Sequence, residues 1–416
     1  MGLEGFVDRI DNRWIVGWAW RSEEPDTPVA IDVLVDGIRV DGCRADMYRA
    51  DLQAAGKGNG RHAFEMKLPS NVNDGNRHEI RLLYSGTDRD LVGSPFRPQF
   101  AATHLAPPAQ SEAGQAGAVY HSRFGGLWTD LSNADDVIEG KRSLGWISPT
   151  EADLLTLWVK NGFVILRGAV PLENIDRLDG EVEAIWNGAS PSRYFVESWN
   201  DDVRTVEPAG PRFRDQRVKL LDLYAQSEAA RSIVFAPAVV RFLALLFERP
   251  ALAFQSLYFR WGSKQEIHQD SAFVKVSSPM ELVASWVALE DITPGSGELE
   301  YYVGSHRLED YLFDGALKWM PFRSDEYARF LASLHERSRA RGLERQQFLP
   351  RKGDVLIWSA DLAHGGCQDV TRDVTRKSLV THYCPGSCRP IYADGERRYP
   401  IQQFNDAAYY TVPVRE

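Results

Sequence analysis

The length, composition and charge of the chain set the first limits on what it is. At 416 residues it is longer than one ordinary hydrophobic core supports, so we predict two domains. The hydrophobic fraction of 44% and the charged fraction of 25% are typical of globular proteins. A net charge of -10 argues against a nucleic-acid-binding protein, because phosphate contacts need a basic surface.

The sequence also lacks the marks of a membrane or secreted protein. No apolar run approaches the roughly 20 residues that a membrane helix needs. The N-terminal residues lack the basic flank and apolar stretch of a secretory signal, and four cysteines are too few for a disulfide scaffold. We therefore expect a cytoplasmic protein without a membrane span.

Residues 1–98 are predicted to form an all-β sandwich. Val29–Val35 alternates apolar and polar residues and runs into Asp36-Gly37, a pattern typical of a β-hairpin. Ile15–Trp20 and His78–Tyr84 are two further predicted strands, and several short strands at this spacing favour a sandwich. The next segment, residues 99–118, has the small residues, Pro and Gln of a linker.

Residues 119–416 are predicted to form an α+β domain. Ser148–Val159 begins with a helix-capping pattern and continues with helical spacing of apolar residues, and Pro237–Glu248 indicates a buried helix. Five later segments are short, β-branched or aromatic, and are predicted strands: 252–259, 282–289, 299–303, 354–358 and 378–383. Helices first and strands later favour an α+β fold whose core is a sheet sandwich or barrel.

A candidate metal site lies in this second domain. In an extended segment residues i and i+2 point the same way, so His268 and Asp270 can bind one ion while Gln269 turns away. His364 follows a predicted core strand and precedes two glycines, Gly365 and Gly366, which would leave room for a ligand to approach. Two imidazoles and one carboxylate form the set that holds non-haem Fe(II) and leaves positions open.

A candidate carboxylate anchor follows the third of these residues. Arg376 and Ser378 open the last predicted strand and share one of its faces. A guanidinium beside a hydroxyl is suited to binding a carboxylate. The sequence therefore offers both metal ligands and the anchor that a keto-acid co-substrate would need.

The order of these motifs resembles the phytanoyl-CoA dioxygenase family of Fe(II)- and 2-oxoglutarate-dependent oxygenases. The resemblance extends over residues 148–386 and rests on these segments: Asn161–Arg167, His268-Gln-Asp270, Ser285–Asp291, Gly295–Gly297, Gly304–His306, His364-Gly365 and Arg376-x-Ser378. It implies a double-stranded β-helix (jelly-roll or cupin-like) core with flanking helices. It also implies Fe(II) held by the two histidines and the aspartate, with 2-oxoglutarate and O2 as co-substrates.

Two departures from the family pattern affect the co-substrate region. Gly366 stands where many members have Ser, and the spacing from His364 to Arg376 is about one residue longer than usual. Arg372 therefore stays open as a second candidate for the anchor. The presence of Asp270 distinguishes the chain from halogenating relatives, which have a small residue there, so the resemblance implies hydroxylation or a related oxidation.

Further residues are predicted to line the site. The resemblance places Trp286 near the co-substrate, and Gln269, Ser256 and Tyr258 are additional candidates. Three arginines in the segment before the core, Arg212, Arg214 and Arg217, are hypothesised to bind an anionic or polyhydroxylated substrate; the alternative is a solvated loop. We expect His306 to bond the main chain in a turn. His382 is expected to be a core histidine, and Cys384 and Cys388 free thiols.

The N-terminal domain resembles a small β-sandwich module of bacterial glycosyltransferases and surface-polysaccharide enzymes. Its tryptophans, Trp14, Trp18 and Trp20, could stack on sugars, although we expect at least two of them to fill the core. The functional interpretation is a glycan-binding or docking module. The alternative is a packing domain or a dimerisation domain, and a dimerisation domain would make the protein a homodimer.

Three functions follow from these observations. The first is an Fe(II)- and 2-oxoglutarate-dependent oxygenase that hydroxylates a small molecule or glycan, with a carbohydrate, a sugar-bearing lipid or a secondary metabolite as substrate. The second is a metal-dependent hydrolase that uses the same His/Asp/His set, but it would need a positioned general base and leaves the arginine anchor unexplained. The third is a non-catalytic glycan-binding protein.

Overall fold

The computed structural model describes residues 2–10, 14–67, 77–98, 118–200, 203–321, 324–391 and 400–411. The chain divides into two compact units, Met1–Ala116 with Leu144–Trp146, and Gly117–Ser143 with Ile147–Glu416. The predicted linker at residues 99–118 lies outside the described residues, apart from its last residue.

The N-terminal unit is a sandwich of two antiparallel sheets. Its strands are β1 (Leu3–Ile10), β2 (Trp14–Arg21), β3 (Val29–Val35), β4 (Ile38–Ala45), β5 (Met47–Tyr48), β6 (Arg61–Lys67) and β7 (Ile80–Tyr84), and its short helix is α1 (Ala50–Ala54). One sheet has the strand order β1-β2-β6-β5 and the other β4-β3-β7. Apolar side chains from both sheets meet in one core, which agrees with the predicted β-sandwich.

The turn between β3 and β4 has the predicted hairpin geometry. Asp36 and Gly37 both lie in the left-handed region, with φ of 50° and 82°. Two consecutive positive φ angles are what a two-residue turn needs to match the twist of the flanking strands.

The tryptophans of β2 contradict the expectation that at least two of them fill the core. Trp14 and Trp18 alternate with buried residues such as Ile15 and Ala19, so both are half-buried on the face that points away from the core. Trp20 is buried, and its indole Nε1 donates to the carbonyl oxygen of Pro25 at 3.0 Å.

The C-terminal unit mixes helices and strands. Its helices are α2 (Ala134–Ser143), α3 (Pro149–Asn161), α4 (Leu172–Trp186), α5 (Glu228–Val234), α6 (Pro237–Phe247) and α7 (Tyr327–Ala340). Its strands are β8 (Phe163–Leu166), β9 (Phe195–Asn200), β10 (Val203–Pro208), β11 (Lys219–Leu221), β12 (Ala251–Phe259), β13 (Lys275–Val276), β14 (Val283–Ala288), β15 (Leu299–Tyr302), β16 (Arg345–Phe348), β17 (Val355–Ser359), β18 (His364–Gly366), β19 (Ser378–Pro385), β20 (Pro390–Ile391), β21 (Ile401–Phe404) and β22 (Ala407–Tyr410).

The strands of this unit form a large sheet that is covered on both faces. Its order is β10-β9-β11-β12-β19-β14-β17-β8, and the β21–β22 hairpin joins at β12. Helices α3 to α6 pack on one face. A smaller sheet of order β16-β15-β18 packs on the other, and the core between the two sheets contains Trp286, Trp358 and Phe259. The mixed helix and strand content confirms the α+β prediction.

The order of elements differs from the prediction in detail. Strands β8 to β11 lie between the early helices, and α7 interrupts the late strands, so helices and strands are interleaved. The predicted start of α3 is confirmed by its cap, because the Ser148 hydroxyl accepts from the Glu151 amide and the Glu151 carboxylate accepts from the Ser148 amide.

Among the described residues, no single helix is long and apolar enough to span a membrane. Helices α5 and α6 meet these criteria only when they are taken together, and the pair is bent by 50°.

Candidate metal centre

Main-chain hydrogen bonds join the two segments that carry the predicted metal ligands. The amide of His268 donates to the carbonyl of His364 at 2.8 Å, and the reverse bond measures 2.9 Å. Asp270 follows two residues later and opens a short 3-10 turn. The potential ligand atoms of His268, Asp270 and His364 all lie within 4.8 Å of one another, and all three residues are buried. No other such group of His, Cys, Asp or Glu occurs in the described part of the chain.

Both histidines present the same ring nitrogen to the centre of this group. Nδ1 of His268 lies 2.8 Å from the carbonyl oxygen of Glu266, and Nδ1 of His364 lies 2.9 Å from that of Leu362. A carbonyl only accepts, so each Nδ1 carries a proton, and in the neutral ring Nε2 then has the free lone pair. Main-chain carbonyls of this kind commonly fix the orientation and tautomer of metal-binding histidines.

The Asp270 carboxylate is held with one oxygen towards the histidines. Oδ1 lies 3.6 Å from Nε2 of His268 and 3.8 Å from Nε2 of His364. Oδ2 accepts a hydrogen bond of 2.8 Å from the indole nitrogen of Trp358. Oδ2 also lies 3.6 Å from Nε2 of His382, a buried histidine whose ring nitrogens have no hydrogen-bond partner. Trp358 therefore orients the carboxylate so that Oδ1 faces the histidines.

The ionisation of this group suits metal binding. Burial alone would raise the pKa of Asp270, but the surrounding histidines outweigh it and hold this pKa well below its ordinary value. Burial lowers the pKa of His364 to about 4. At neutral pH the aspartate is therefore a carboxylate and the histidine is neutral, which are the forms that bind metal ions.

The two glycines after His364 were predicted to leave room for a ligand, but the structure shows that they leave room for a neighbouring segment of the main chain. A Cβ atom at Gly365 would lie 2.7 Å from the carbonyl oxygen of Gln265 and 2.8 Å from the amide of Ile267. A Cβ atom at Gly366 would lie 2.7 Å from the hydroxyl of Ser263. The space beside the glycines is filled by the chain that leads to His268, so the prediction that a ligand approaches there is wrong.

Arg376 and Ser378 lie together inside the protein. The guanidinium is 2% exposed, its Nη1 donates to the Ser378 hydroxyl at 3.1 Å, and it lies 5.4 Å from the Trp286 ring centre. Its Nε has no hydrogen-bond partner, and it makes no ion pair within the described residues. Burial, together with the charge of Arg217, lowers its pKa to about 10, so it stays charged at neutral pH. An unpaired buried cation is costly and calls for an anion.

Arg372, the second candidate for the anchor, is placed differently. It is exposed to solvent, and its main-chain amide donates to the carbonyl of Gly295 at 3.0 Å. The structure therefore brings Arg376, and not Arg372, to the interior beside Trp286.

Three other predicted lining residues point elsewhere. Tyr258 belongs to the core between the large sheet and the helices, and Ser256, two residues earlier on β12, shares that face. Trp286 and Phe259 lie on the opposite face, between the two sheets, so the prediction is wrong for Ser256 and Tyr258. The Gln269 amide donates to the carbonyl of Asp361 at 2.7 Å and is turned away from the three ligand atoms.

The three arginines predicted to bind substrate have separate partners. Arg212 pairs with Glu207, and Arg214 pairs with Glu183 at 2.9 Å. Arg217 donates to the carbonyl of Gly262, next to the Trp261 carbonyl that Arg376 contacts at 3.4 Å. Of the three, Arg217 alone is connected to the Arg376 region in this way.

Some residues of the site escaped the sequence analysis. Trp358 is the penultimate residue of β17 and looked like an ordinary core residue, while His382 was expected to be a core histidine. The side-chain amide nitrogen of Gln265 lies 3.1 Å from Nε2 of His268. No local signal marks Trp358 or Gln265, but the alternation on β19 put His382 on the face of Arg376. His306 bonds the carbonyl of Val159 at 3.2 Å, as expected of a turn histidine.

A family model and a curated relative match this chain. The model of the phytanoyl-CoA dioxygenase (PhyH) family matches residues 158–378. The dioxygenase olcK of Penicillium canescens is 22% identical over 259 residues, which cover 59% of this chain and 75% of that protein.

Two solved structures are similar at low sequence identity. The non-heme alpha ketoglutarate dependent epimerase SnoN from nogalamycin biosynthesis is 16% identical, with a TM-score of 0.45, and the match covers 63% of this chain and 98% of that one. EctD from S. alaskensis is 19% identical, with a TM-score of 0.42, and the match covers 61% and 82% of the two chains.

Proposed function

This chain belongs to the phytanoyl-CoA dioxygenase family, because the family model covers more than half of it, and on that premise we propose that it is an Fe(II)- and 2-oxoglutarate-dependent oxygenase that hydroxylates a C–H bond of a polar small molecule. The fold of facing sheets supports the double-stranded β-helix that we propose for the core of its second unit.

The assembly of His268, Asp270 and His364 carries this proposal. Three buried ligand atoms within 4.8 Å of one another, from two imidazoles and one carboxylate, match the face that holds non-haem Fe(II). The fit extends beyond the ligands, because both Nδ1 atoms are hydrogen-bonded to carbonyls and Trp358 fixes the carboxylate. We propose these three residues as the iron ligands.

The buried guanidinium of Arg376 supports 2-oxoglutarate as the co-substrate. It is charged, has no carboxylate partner among the described residues, and is held between the rings of Trp286 and Phe259 at 5.4 and 5.6 Å. A dicarboxylate that reached it would supply the missing counter-charge, and the Ser378 hydroxyl would add a hydrogen bond. We propose Arg376 with Ser378 as the anchor, and Trp286 as the wall beside it.

Each part of the site then has a defined task. The chemistry that bound iron supplies is the activation of dioxygen, coupled to the oxidative decarboxylation of 2-oxoglutarate to succinate and CO2. The chain itself binds the co-substrate at Arg376, orients the ligands through main-chain carbonyls and Trp358, and excludes water by burial of the three ligands. The carboxylate of Asp270 completes the ligand set, which favours hydroxylation over halogen transfer.

The N-terminal unit bears on the substrate class, and the cysteines bear on the location. Half-buried Trp14 and Trp18 on the outward face of β2 are compatible with a glycan-binding role for the N-terminal unit. We therefore propose a carbohydrate-like substrate or a sugar-bearing lipid, with a secondary metabolite as the alternative. None of the four cysteines, all of which lie in the described part of the chain, forms a disulfide bond, which supports a cytoplasmic location.

Succinate release tests the proposed activity. Purified protein with Fe(II), ascorbate and 2-oxoglutarate should release succinate in the presence of dioxygen, and Asp270→Ala and His364→Ala should abolish the release. Asp325→Ala, which removes a side chain that is 94% exposed, serves as the matched control and should keep it. A substrate-dependent reaction that proceeds equally without dioxygen would identify a metal-dependent hydrolase instead. Binding of glycans without Fe(II) or 2-oxoglutarate binding would identify a non-catalytic protein.

A further inference from the structure

A buried ion pair lies behind the candidate metal centre. Nζ of Lys318 donates to Oδ2 of Asp361 at 2.6 Å, and the two side chains are 2% and 3% exposed. The same ammonium donates to Oδ1 of Asp310 at 2.7 Å, and Asp310 in turn accepts from the hydroxyl of Ser122. The pair therefore links the segment after β15 to the segment that precedes β18.

Asp361 is hydrogen-bonded to the side chains of both residues that flank Asp270. Its Oδ1 accepts from the hydroxyl of Ser271 at 2.5 Å, and its main-chain carbonyl accepts from the side-chain amide of Gln269 at 2.7 Å. Ser271 is fixed further by its own amide, which donates to the carbonyl of Ala360 at 3.2 Å. Asp361 also lies three residues before His364 in the sequence. One aspartate thus joins the segment of one proposed ligand to the segment of another.

Lys318 keeps this aspartate in place. A carboxylate whose side chain is 3% exposed and that lacks a counter-charge would be costly to hold in the interior. Burial works against the Lys318 ammonium as well, but Asp361 and Asp310 outweigh it and raise its pKa above the ordinary value. Buried ion pairs add little net stability compared with well-packed apolar residues. A role in geometry explains this one better than a role in overall stability.

We infer that Asp361 and Lys318 are positioning residues that fix the distance between the Asp270 and His364 segments and thereby set the affinity for the metal ion. Neither residue touches the ion or the reacting atoms. The inference rests on the proposed function, because it takes these residues as metal ligands. Hydrogen-bonded groups behind metal ligands typically change metal affinity or activity by about 10- to 100-fold when they are removed.

The test measures metal binding to the full-length apoprotein by calorimetry with Mn(II), which avoids oxidation. Lys318→Met should weaken Mn(II) binding by about 10- to 100-fold. Ser271→Ala removes the hydroxyl that Asp361 holds but leaves the ion pair intact, so it should weaken binding in the same direction and stay folded. Lys141→Met is the matched control, because it breaks a different ion pair, a partly buried one with Glu248 that lies apart from the three proposed ligands in the sequence. It should lower the thermal midpoint and leave Mn(II) affinity unchanged.

The outcomes separate this inference from the proposed function. If wild-type protein does not bind Mn(II), the proposed metal centre itself is wrong. If wild type binds, and Lys318→Met and Ser271→Ala bind equally well while the former only unfolds at lower temperature, the pair is structural and the inference is overturned. If Lys318→Met does not fold, weaker binding by Ser271→Ala supports the inference and unchanged binding refutes it.

Discussion

Adding one methyl group at Gly365 tests the packing that holds the metal centre together. In Gly365→Ala the new Cβ would lie 2.7 Å from the Gln265 carbonyl oxygen, 2.8 Å from the Ile267 amide and 2.9 Å from the Glu266 carbonyl carbon. All three are main-chain atoms, so no side-chain rotation relieves the contact. Ordinary contact begins near 3.4 Å, so the chain that leads to His268 must move by about 3.4 − 2.7 = 0.7 Å.

The magnitude follows from the cost of overpacking. Inserting a methyl group into a well-packed interior costs about 1–3 kcal/mol. The displaced segment carries His268, so a shift of this size falls directly on the spacing between the two histidines. About 1.4 kcal/mol corresponds to a tenfold change in an equilibrium constant. Restoring the ligand spacing in the metal-bound state must work against this overpacking cost, so we expect Mn(II) affinity to fall by about 5- to 150-fold. Calorimetric titration of the apoprotein measures it.

The control is a glycine with free space around it. A Cβ at Gly180, inside α4, would meet nothing within 4 Å, so Gly180→Ala should leave metal affinity unchanged and should stabilise the helix by about 1 kcal/mol. If Gly365→Ala binds Mn(II) as tightly as wild type, the close approach of the two segments does not control the ligand spacing, and the reasoning fails.

Three further predictions concern the anchor, the carboxylate and a buried acid. Arg376→Met should raise the KM for 2-oxoglutarate by about 10- to 150-fold, because it removes charge-assisted hydrogen bonds whose free energy corresponds to a change of this size. Arg372→Met should leave the KM unchanged, and a reversed result would assign the anchor to Arg372. Trp358→Phe keeps an aromatic side chain but removes the hydrogen bond to Asp270, so Mn(II) binding should weaken by about 10-fold or more. Equal binding would contradict the proposal that Trp358 orients the Asp270 carboxylate. Burial raises the pKa of Asp130 to about 6, above its ordinary value of 3.8, so the folded state binds the proton more tightly than the unfolded state. Stability should therefore fall as the pH rises from about 4 to 6, and Asp130→Asn should remove this loss, as followed by thermal midpoints across that range; an unchanged pH profile in the variant would show that Asp130 is not the group responsible.

The sequence predicted the features that local rules determine. The Asp36-Gly37 turn needs positive φ at both positions, and Ser148 and Glu151 form a cap from residues three apart. The candidate metal site was predicted because His268 and Asp270 share one face, and because the order of later motifs resembled a known family; the structure brings these two residues and His364 together. Apart from the order of motifs, which extends over residues 148–386, each of these signals is contained in a short stretch of sequence.

Other features depend on contacts that short stretches cannot reveal. Both faces of β12 are buried, one against the helices and one against the second sheet, so its alternation could not tell which face Ser256 and Tyr258 would take. The Lys318–Asp361 pair joins residues 43 apart in the sequence. Glycine is likewise needed at position 365 because a segment about 100 residues earlier in the sequence packs against it. The sequence alone suggested instead that the glycine leaves room for a ligand.

The main-chain bridge between His268 and His364 has a consequence for how the protein takes up its metal. Folding already fixes the two segments that carry these histidines, so little further ordering of the chain is left for metal binding. The apoprotein should therefore fold without the ion, unlike small domains whose structure depends on zinc. Added metal should raise the thermal midpoint only as mass action requires, in proportion to the logarithm of its concentration above Kd. Iron lost by chelation or oxidation could then be replaced without a cycle of unfolding.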